Sequence, residues 1–405
     1  MNEFALIADL ALIWGVALVV GYICIRLKQP VIAGYMLAGV VLGPHGLKLI
    51  SRADHIGFLS EFGVAMMLFA LGVDLSLKQV LSSAKRIVSA GLVQMLLTIT
   101  AAACLSYFFH VATSVSSAIL FGCICAISSS VVISRLLVDR GESDSIHGQI
   151  LLPLSLVQDL ALVAIIPFMP ILQNGQADPM LILFSFLKAA GFILAVIVGS
   201  IKIVPYVLSK AANSNSREIF MLTILVLCLG VALLSEKAGL SIALGAFLAG
   251  IMMSESTYAH QALHDVSPLK DVFSTIFFVS VGLLLDPIFV FQHAMEVLCF
   301  VIILILGKAL IGTLAALLAT KNLRSAIFVG AGLAQIGEFS FVLLTLGHDS
   351  KIVSEAIYNL LLAGSVLTMM LSPALMALVP KLLVRRMAKA SDFHSADPNA
   401  QQSGL

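Results

Sequence analysis

The sequence predicts an all-α polytopic membrane protein of about 13 transmembrane helices, and three observations carry that prediction. Hydrophobic residues make up 60% of the 405 residues and charged residues only 11%, whereas soluble domains carry about 25% charge. Mean hydropathy is +1.08. The apolar residues fall in long runs, as helices of roughly 20 residues need to cross hydrocarbon. Period-2 alternation is absent, so helices rather than a closed barrel satisfy the backbone.

The runs, in order, cover residues 5–25, 30–47, 56–76, 87–109, 114–138, 146–171, 180–208, 217–236, 239–256, 270–288, 293–318, 323–347 and 354–380. Loops between them are short, which leaves no room for a separate soluble domain. No basic n-region follows Met1, so a cleaved signal peptide is not expected. An odd number of spans puts the termini on opposite sides. One set of connections carries sixteen Lys and Arg residues, among them Arg26, Arg86, Arg140, Lys321 and Arg385; the other carries four, Lys48, Arg52, Lys237 and Lys351. The positive-inside rule then places the C-terminus in the cytoplasm and the N-terminus outside. A plasma (inner) membrane is expected, with an internal membrane as the alternative.

The net charge of +1 argues against a nucleic-acid partner. The cysteines lie in apolar runs and read as small buried hydrophobes. Cys123-x-Cys125 lacks a nearby His, so it is a weak metal signal. No cofactor is expected.

Transporters place ion sites where helices break at membrane depth. Two spans carry small or polar clusters of that kind. The fifth has residues 126–130 (AISSS), and the twelfth has Gly330, Gly332, Gln335, Gly337 and Glu338. An offset of seven spans inverts the topology, so the two breaks fit inverted repeats that cross at the membrane midplane. The competing reading is close packing of helices through small residues.

The sixth span holds Asp159 in residues 149–170 (QILLPLSLVQDLALVAIIPFMP), with no other charge. A charge at this depth costs about 3 to above 10 kcal/mol. An apolar setting penalises the bare carboxylate, so either a proton or a cation neutralises it, never both. Gln158 precedes it, and Ser155 lies one turn earlier on the same face. With oxygens from Ser128, Ser129 and Ser130 these are hard ligands suited to Na+ or K+; thiolates and imidazoles for zinc or copper are missing.

Lys308 is a second buried charge, in the eleventh span. It either tunes Asp159 and props the breaks or is a structural ammonium on broken-helix carbonyls. Glu338 either pairs with a basic group such as Arg135 or caps a half-helix. Glu61, Asp74 and Glu255 sit near span ends and read as solvated or snorkelling. Asp271 reads as an N-terminal acid at the start of the tenth span.

These motifs, with residues 34–46 (GYMLAGVVLGPHG), 62–75 (FGVAMMLFALGVDL), 128–135 (SSSVVISR), 148–159 (GQILLPLSLVQD), 239–250 (GLSIALGAFLAG), 268–283 (PLKDVFSTIFFVSVGL) and 337–343 (GEFSFVL), occur together and in order. The chain resembles cation:proton antiporter family 2, the Kef/NapA-like monovalent cation:proton antiporters, to about Leu383 and in the transport domain only. The resemblance implies an NhaA/NapA-like fold with crossed breaks in segments 5 and 12. It implies a homodimer, with a dimerisation part in residues 1–86 and 211–290. The core part would be residues 87–171 and 291–383, with residues 172–210 as linker helix and 384–405 as a disordered cytoplasmic tail. It further implies an elevator movement of the core, with Asp159 as the carrier of cation and proton and the break serines and Ser155 as further ligands.

Strongly electrogenic relatives of this kind have two adjacent acids where this chain has Gln158-Asp159, which leans towards electroneutral exchange. Kef proteins carry a nucleotide-binding domain, and no phosphate loop follows here. A gated potassium channel of Kef type is the alternative, although no TVGYG-like filter is present. An organic-anion symporter would want more cationic ligands than Lys308. An enzyme is not expected, because HExxH and paired acids are missing.

Overall fold

The computed structural model describes residues 3–50, 53–74, 85–174, 179–214, 216–238, 242–254 and 256–395. Every regular element among the described residues is helical. The chain opens with α1 (Glu3–Arg26), α2 (Val31–Leu42) and α3 (Ala53–Asp74). Then come α4 (Lys85–Phe108), the split pair α5 (Val115–Ala126) and α6 (Ser130–Asp139), and α7 (Gly148–Ile165). A 3-10 turn (Ile166–Phe168) leads into α8 (Met169–Asn174), followed by the long α9 (Pro179–Ala212). The second half holds α10 (Arg217–Lys237), α11 (Ile242–Ser254), α12 (Ala259–Leu283) and the short α13 (Pro287–Gln292). It closes with α14 (Ala294–Ala319), a second split pair α15 (Leu323–Gly332) and α16 (Ser340–Asp349), and α17 (Glu355–Ser395). Each hydrophobic run of the sequence overlaps a described helix; residues 75–76, 239–241 and 255 of those runs lie outside the described residues. Among the described residues, seven stretches, counting α5–α6 as one, are long and apolar enough to cross a membrane.

The helices pack in two groups. In one, α3 lies against α11 and α12, α2 against α1 and α12, and α10 against α11. In the other, α4 packs on α5, α7 and α14, α14 on α15 and α17, and α16 on α5 and α17. α9 touches α10 and α11. Lipid gives little hydrophobic drive between spans, so close approach through small residues takes its place. Gly72 on α3 and Gly250 on α11 meet face to face: a Cβ on Gly250 would stand 2.8 Å from the Gly72 Cα and 2.9 Å from the Val73 nitrogen. Gly39 on α2 meets Gly282 on α12 in the same way, 2.8 Å from a Gly39 Cβ to the Gly282 Cα.

Two helix limits differ from the sequence reading. α12 begins at Ala259, well before residue 270, and runs through Pro268. Asp271 is therefore an interior residue of that helix, exposed and 3.2 Å from Lys270, not an N-terminal acid. The early start is anchored by Asp265, which is buried and takes 2.9 and 3.0 Å contacts from the Arg217 guanidinium of α10. α17 continues to Ser395, past residue 384 where the sequence suggests a disordered tail; residues 396–405 lie outside the described residues. Glu61 is exposed, as its place near a span end suggests. Glu255 and the Asp74 side chain lie outside the described residues.

The turn from α6 to α7 is held by a small polar cluster. Arg140 donates to both Glu142 oxygens at 2.9 and 3.0 Å and to the Met376 carbonyl of α17 at 3.2 Å. His147 lies 3.0 Å from Glu142 and stacks on Phe328 of α15. The Arg140 hydrogen bonds, with His147 helping, hold the Glu142 carboxyl below the usual carboxylate range.

Two predictions follow from this packing. Gly250→Ala forces backbone apart and should lower the thermal midpoint by an amount equivalent to about 1–3 kcal/mol. Gly230→Ala, where a Cβ meets nothing within 4 Å, should leave it unchanged or raise it slightly, since alanine is the better helix former; equal effects in a thermal-shift assay would refute the crossing. For Glu142 the folded value is depressed, so its stabilisation is present above the unfolded carboxylate pKa and lost as pH falls through the folded one. The stability gap between wild type and Glu142→Gln should be open at neutral pH and close below about pH 4; a gap independent of pH would remove the ion pair from the account.

Candidate functional site

The fifth span breaks because its sequence offers the backbone other partners. α5 ends at Ala126, Ile127 turns extended, and Ser129 caps α6 by accepting the Val132 N–H at 3.0 Å. Serines favour such caps over helix interiors. The twelfth span breaks after Gly330-Ala331-Gly332, where two glycines weaken the helix.

The breaks cross each other. The Gly337 N–H donates to the Ile127 carbonyl at 3.0 Å. The Ser128 hydroxyl donates to the Leu333 carbonyl at 2.9 Å, and the Ser340 hydroxyl to the Ile124 carbonyl at 2.8 Å. A Cβ on Gly337 would lie 2.5 Å from the Ser128 carbonyl carbon. Only glycine lets the two chains touch there.

Lys308, 1% exposed, sits where the first half-helices end. Its Nζ donates to the carbonyls of Ala126 (3.3 Å), Ile127 (3.1 Å) and Gln335 (2.6 Å). One ammonium therefore serves orphan carbonyls of both breaks, at the negative ends of α5 and α15.

Asp159, 0% exposed, occupies the opposite kind of end. Neither of its carboxyl oxygens accepts a hydrogen bond. The polar groups that bear on it are the Glu338 carboxyl and the Ser130 hydroxyl, at the first residue of α6. Glu338, 2% exposed, also has both oxygens without a hydrogen bond of ordinary geometry; Ser129, the backbone N–H groups of Val131 and Glu338 itself, and the charge of Lys270 bear on it. Two buried carboxyls thus converge on the positive N-terminal end of one half-helix, and the buried Lys308 ammonium is on the negative ends. The arrangement is what helix-end electrostatics favours.

The other sequence-derived residues divide. Ser128, Ser129 and Ser130 are at the crossing. Gln158 is there too, but as a strut: its Oε1 accepts the Ser128 N–H at 2.8 Å and its Nε2 donates to Gln94 at 2.6 Å. Ser155 is buried on the Asp159 helix and donates back to the Leu152 carbonyl at 2.8 Å. Arg135 corrects one expectation. It is exposed, 3.9 Å from Asp139 on its own helix, and is no partner of the buried Glu338. An arginine six residues along α6 from the cap lies more than a turn away from the break.

Some contributors are not singled out by sequence reasoning. Gln94 on α4, bonded to Thr98 at 3.1 Å, anchors Gln158. Thr368 on α17 accepts the Ile336 N–H at 3.2 Å. Gln335, which the sequence does mark in the twelfth-span cluster, is 0% exposed with both amide atoms unpartnered. A lone amide in an apolar span, as Gln94 is in residues 87–109, is the signal that could have found the first. Among the described residues no three of His, Cys, Asp and Glu gather as a metal-ligand group. The site offers hydroxyl, carbonyl and carboxyl oxygens, the donor set of a hard cation.

Comparison with known proteins shows the family and the fold. The family profile described as "Sodium/hydrogen exchanger, transmembrane" matches residues 15–377. The chain is 34% identical over 379 residues to the putative cation/proton antiporter YbaL of Escherichia coli (strain K12), covering 91% of this chain and 67% of that one. It is 32% identical over 397 residues to K(+) efflux antiporter 5 of Arabidopsis thaliana, covering 94% and 68%. Its fold is similar to that of the sodium proton antiporter MjNhaP1 from Methanocaldococcus jannaschii, with a TM-score of 0.71 at 17% identity over 95% of this chain and 100% of that one. A chain matched over this much of its length, with two broken helices crossing at a buried acid, belongs to the sodium/hydrogen exchanger family of transmembrane cation/proton antiporters.

Proposed function

We propose that this chain exchanges a monovalent cation, Na+ or K+, for H+ across a membrane, with Asp159 holding the cation and the proton in alternation. The observation that carries the reading is the unpartnered Asp159 carboxyl, buried at the N-terminal end of α6. A buried carboxylate with no hydrogen bond is costly unless something neutralises it. A proton does so, and so does a cation held by the same oxygens with the Ser128–Ser130 turn and Ser155 nearby. Each excludes the other, which couples the two fluxes.

Glu338 adds a second carboxyl beside the first and strengthens the attraction for a cation. Gln158 stands where a second exchanging acid would sit, and its amide is committed to the Ser128 N–H and to Gln94. One exchanging carboxyl then moves one proton per cation, so the exchange is electroneutral. The two helix groups suggest the movement. The group of α4–α7 and α14–α17, which contains the crossing, slides as an elevator against the group of α1–α3 and α10–α12, which also forms the homodimer contact. The Lys and Arg asymmetry puts the C-terminus in the cytoplasm of a cell whose plasma or inner membrane holds the protein.

The test is exchange in proteoliposomes carrying a pH-sensitive dye, with Na+ and K+ added in turn and with voltage clamped or free. Cation-driven proton movement should fall to the rate of protein-free liposomes in Asp159→Asn. In Glu338→Gln it should survive, with the half-saturating cation concentration raised about tenfold, ~1.4 kcal/mol. Insensitivity to the clamp supports one-for-one exchange. Activity persisting in Asp159→Asn would overturn the carrier role, and cation flux without proton countermovement would point to a channel.

Lys308→Met should chiefly cost stability. It removes three hydrogen bonds to a charged group, worth about 1.5–3 kcal/mol each when made singly and less than additive together. The thermal midpoint should fall sharply while the folded fraction keeps measurable exchange. A Lys308→Met protein as stable as wild type would refute its role in holding the breaks together.

A further inference from the structure

Between α4, α5, α14 and α17 lies a half-open groove of about 700 Å³, lined almost wholly by apolar side chains. The volume falls within the roughly 300–1,000 Å³ of small-molecule sites. Its mouth is at the end of the bundle where α4 finishes and α14 begins, beside His110 and Glu296. Its floor is at mid-depth, where Cys125, the Lys308 stem and Ile311 line it. Along α14, the fifteen steps from Glu296 to Ile311 span about 22 Å at the helical rise. One leaflet of a bilayer, headgroups included, is about 20–22 Å thick. The groove thus runs from headgroup level to the bilayer centre, polar at the first and apolar along the rest.

We propose that this groove is a lipid site that takes one acyl chain of a membrane phospholipid, with the headgroup at the level of His110 and Glu296. The occupant follows from depth and lining. The groove opens among residues that face the surface of a membrane-spanning bundle, such as Leu105, Cys299 and Ile303. The apolar matter that meets such a surface is hydrocarbon chain. Burying a chain there removes no hydrogen bond, because the floor offers carbon and sulfur; the Lys308 ammonium itself is turned to its three carbonyls.

The chain tip would stop at Ile311, against the packing that covers Cys125 and the Lys308 stem. The lipid would then complete the packing behind the crossed breaks, on the side away from the α6 end where the carboxyls converge. This is a binding role separate from the ion site and does not depend on which cation is carried.

Labelling the full-length protein in nanodiscs with a phosphatidylcholine that carries a diazirine at the end of one acyl chain tests this. After irradiation, peptide mapping should find adducts on Phe121 and Leu304, which line the groove and are only 5% and 6% exposed. Bulk lipid that only coats the surface should instead label outward residues such as Leu310 and Leu314. Gly307 lines the groove, and a Cβ there meets nothing within 4 Å. Gly307→Leu should reduce the Phe121 and Leu304 adducts at least fivefold, with outward labelling unchanged. Gly15→Leu, which has the same open space on α1, should change neither. Ile303→Trp, which starts from a half-exposed groove position, provides a second blocking variant should Gly307→Leu fail to fold. Adducts confined to outward residues in wild type would overturn the proposal. So would floor labelling that survives both blocking variants.

Discussion

A helix broken inside a bilayer leaves carbonyls that no water can reach, each costing several kcal/mol if left alone. This chain has two such breaks, and one side chain answers for both. Lys308 reaches Ala126, Ile127 and Gln335, so the two breaks cannot separate without stranding an ammonium as well as carbonyls. The other crossing contacts, from Gly337, Ser128 and Ser340, bring the chains to backbone distance but contribute neutral hydrogen bonds. Such bonds are worth about half as much as those to a charged group.

With the negative ends of α5 and α15 satisfied by Lys308, the positive end of α6 is left for anionic groups. Asp159 and Glu338 are there, and no side-chain cation forms an ion pair with either among the described residues; Lys270 acts on Glu338 only through its field. The division of labour is spatial. The ammonium holds the scaffold from one side, and the carboxyls remain available on the other. If Lys308 paired with Asp159 instead, the breaks would lose their cap and the carboxyl its freedom. The strut from Gln94 through Gln158 to Ser128 serves the same end, fixing the first break against α4 and α7 without adding charge.

α2, α3, α11 and α12 approach through glycines set against glycines or backbone. The group with the crossing has such contacts too, with Gly122 of α5 against the Ile99 backbone of α4 and Gly330 of α15 against Gly312 of α14. It adds polar contacts whose partners sit far apart in sequence, so the position of its two breaks is set by a few bonds as well as by close packing.

The sequence by itself determined the class of the molecule, the places where its helices break and the acid at the centre. Hydrophobic runs, Ser and Gly clusters and a lone charge in apolar surroundings are local signals, and each reflects a cost paid by the residue where it stands. Only the tertiary structure decided who pairs with whom. It turned Lys308 to carbonyls from two spans, made Gln158 a strut, left Glu338 beside Asp159 and put Arg135 out at the surface with Asp139. It also moved the start of α12 back to Ala259, because Asp265 finds Arg217 across the bundle. Partners separated by tens to hundreds of residues leave no mark in either segment alone, since a hydrogen bond depends on where the other group arrives in space.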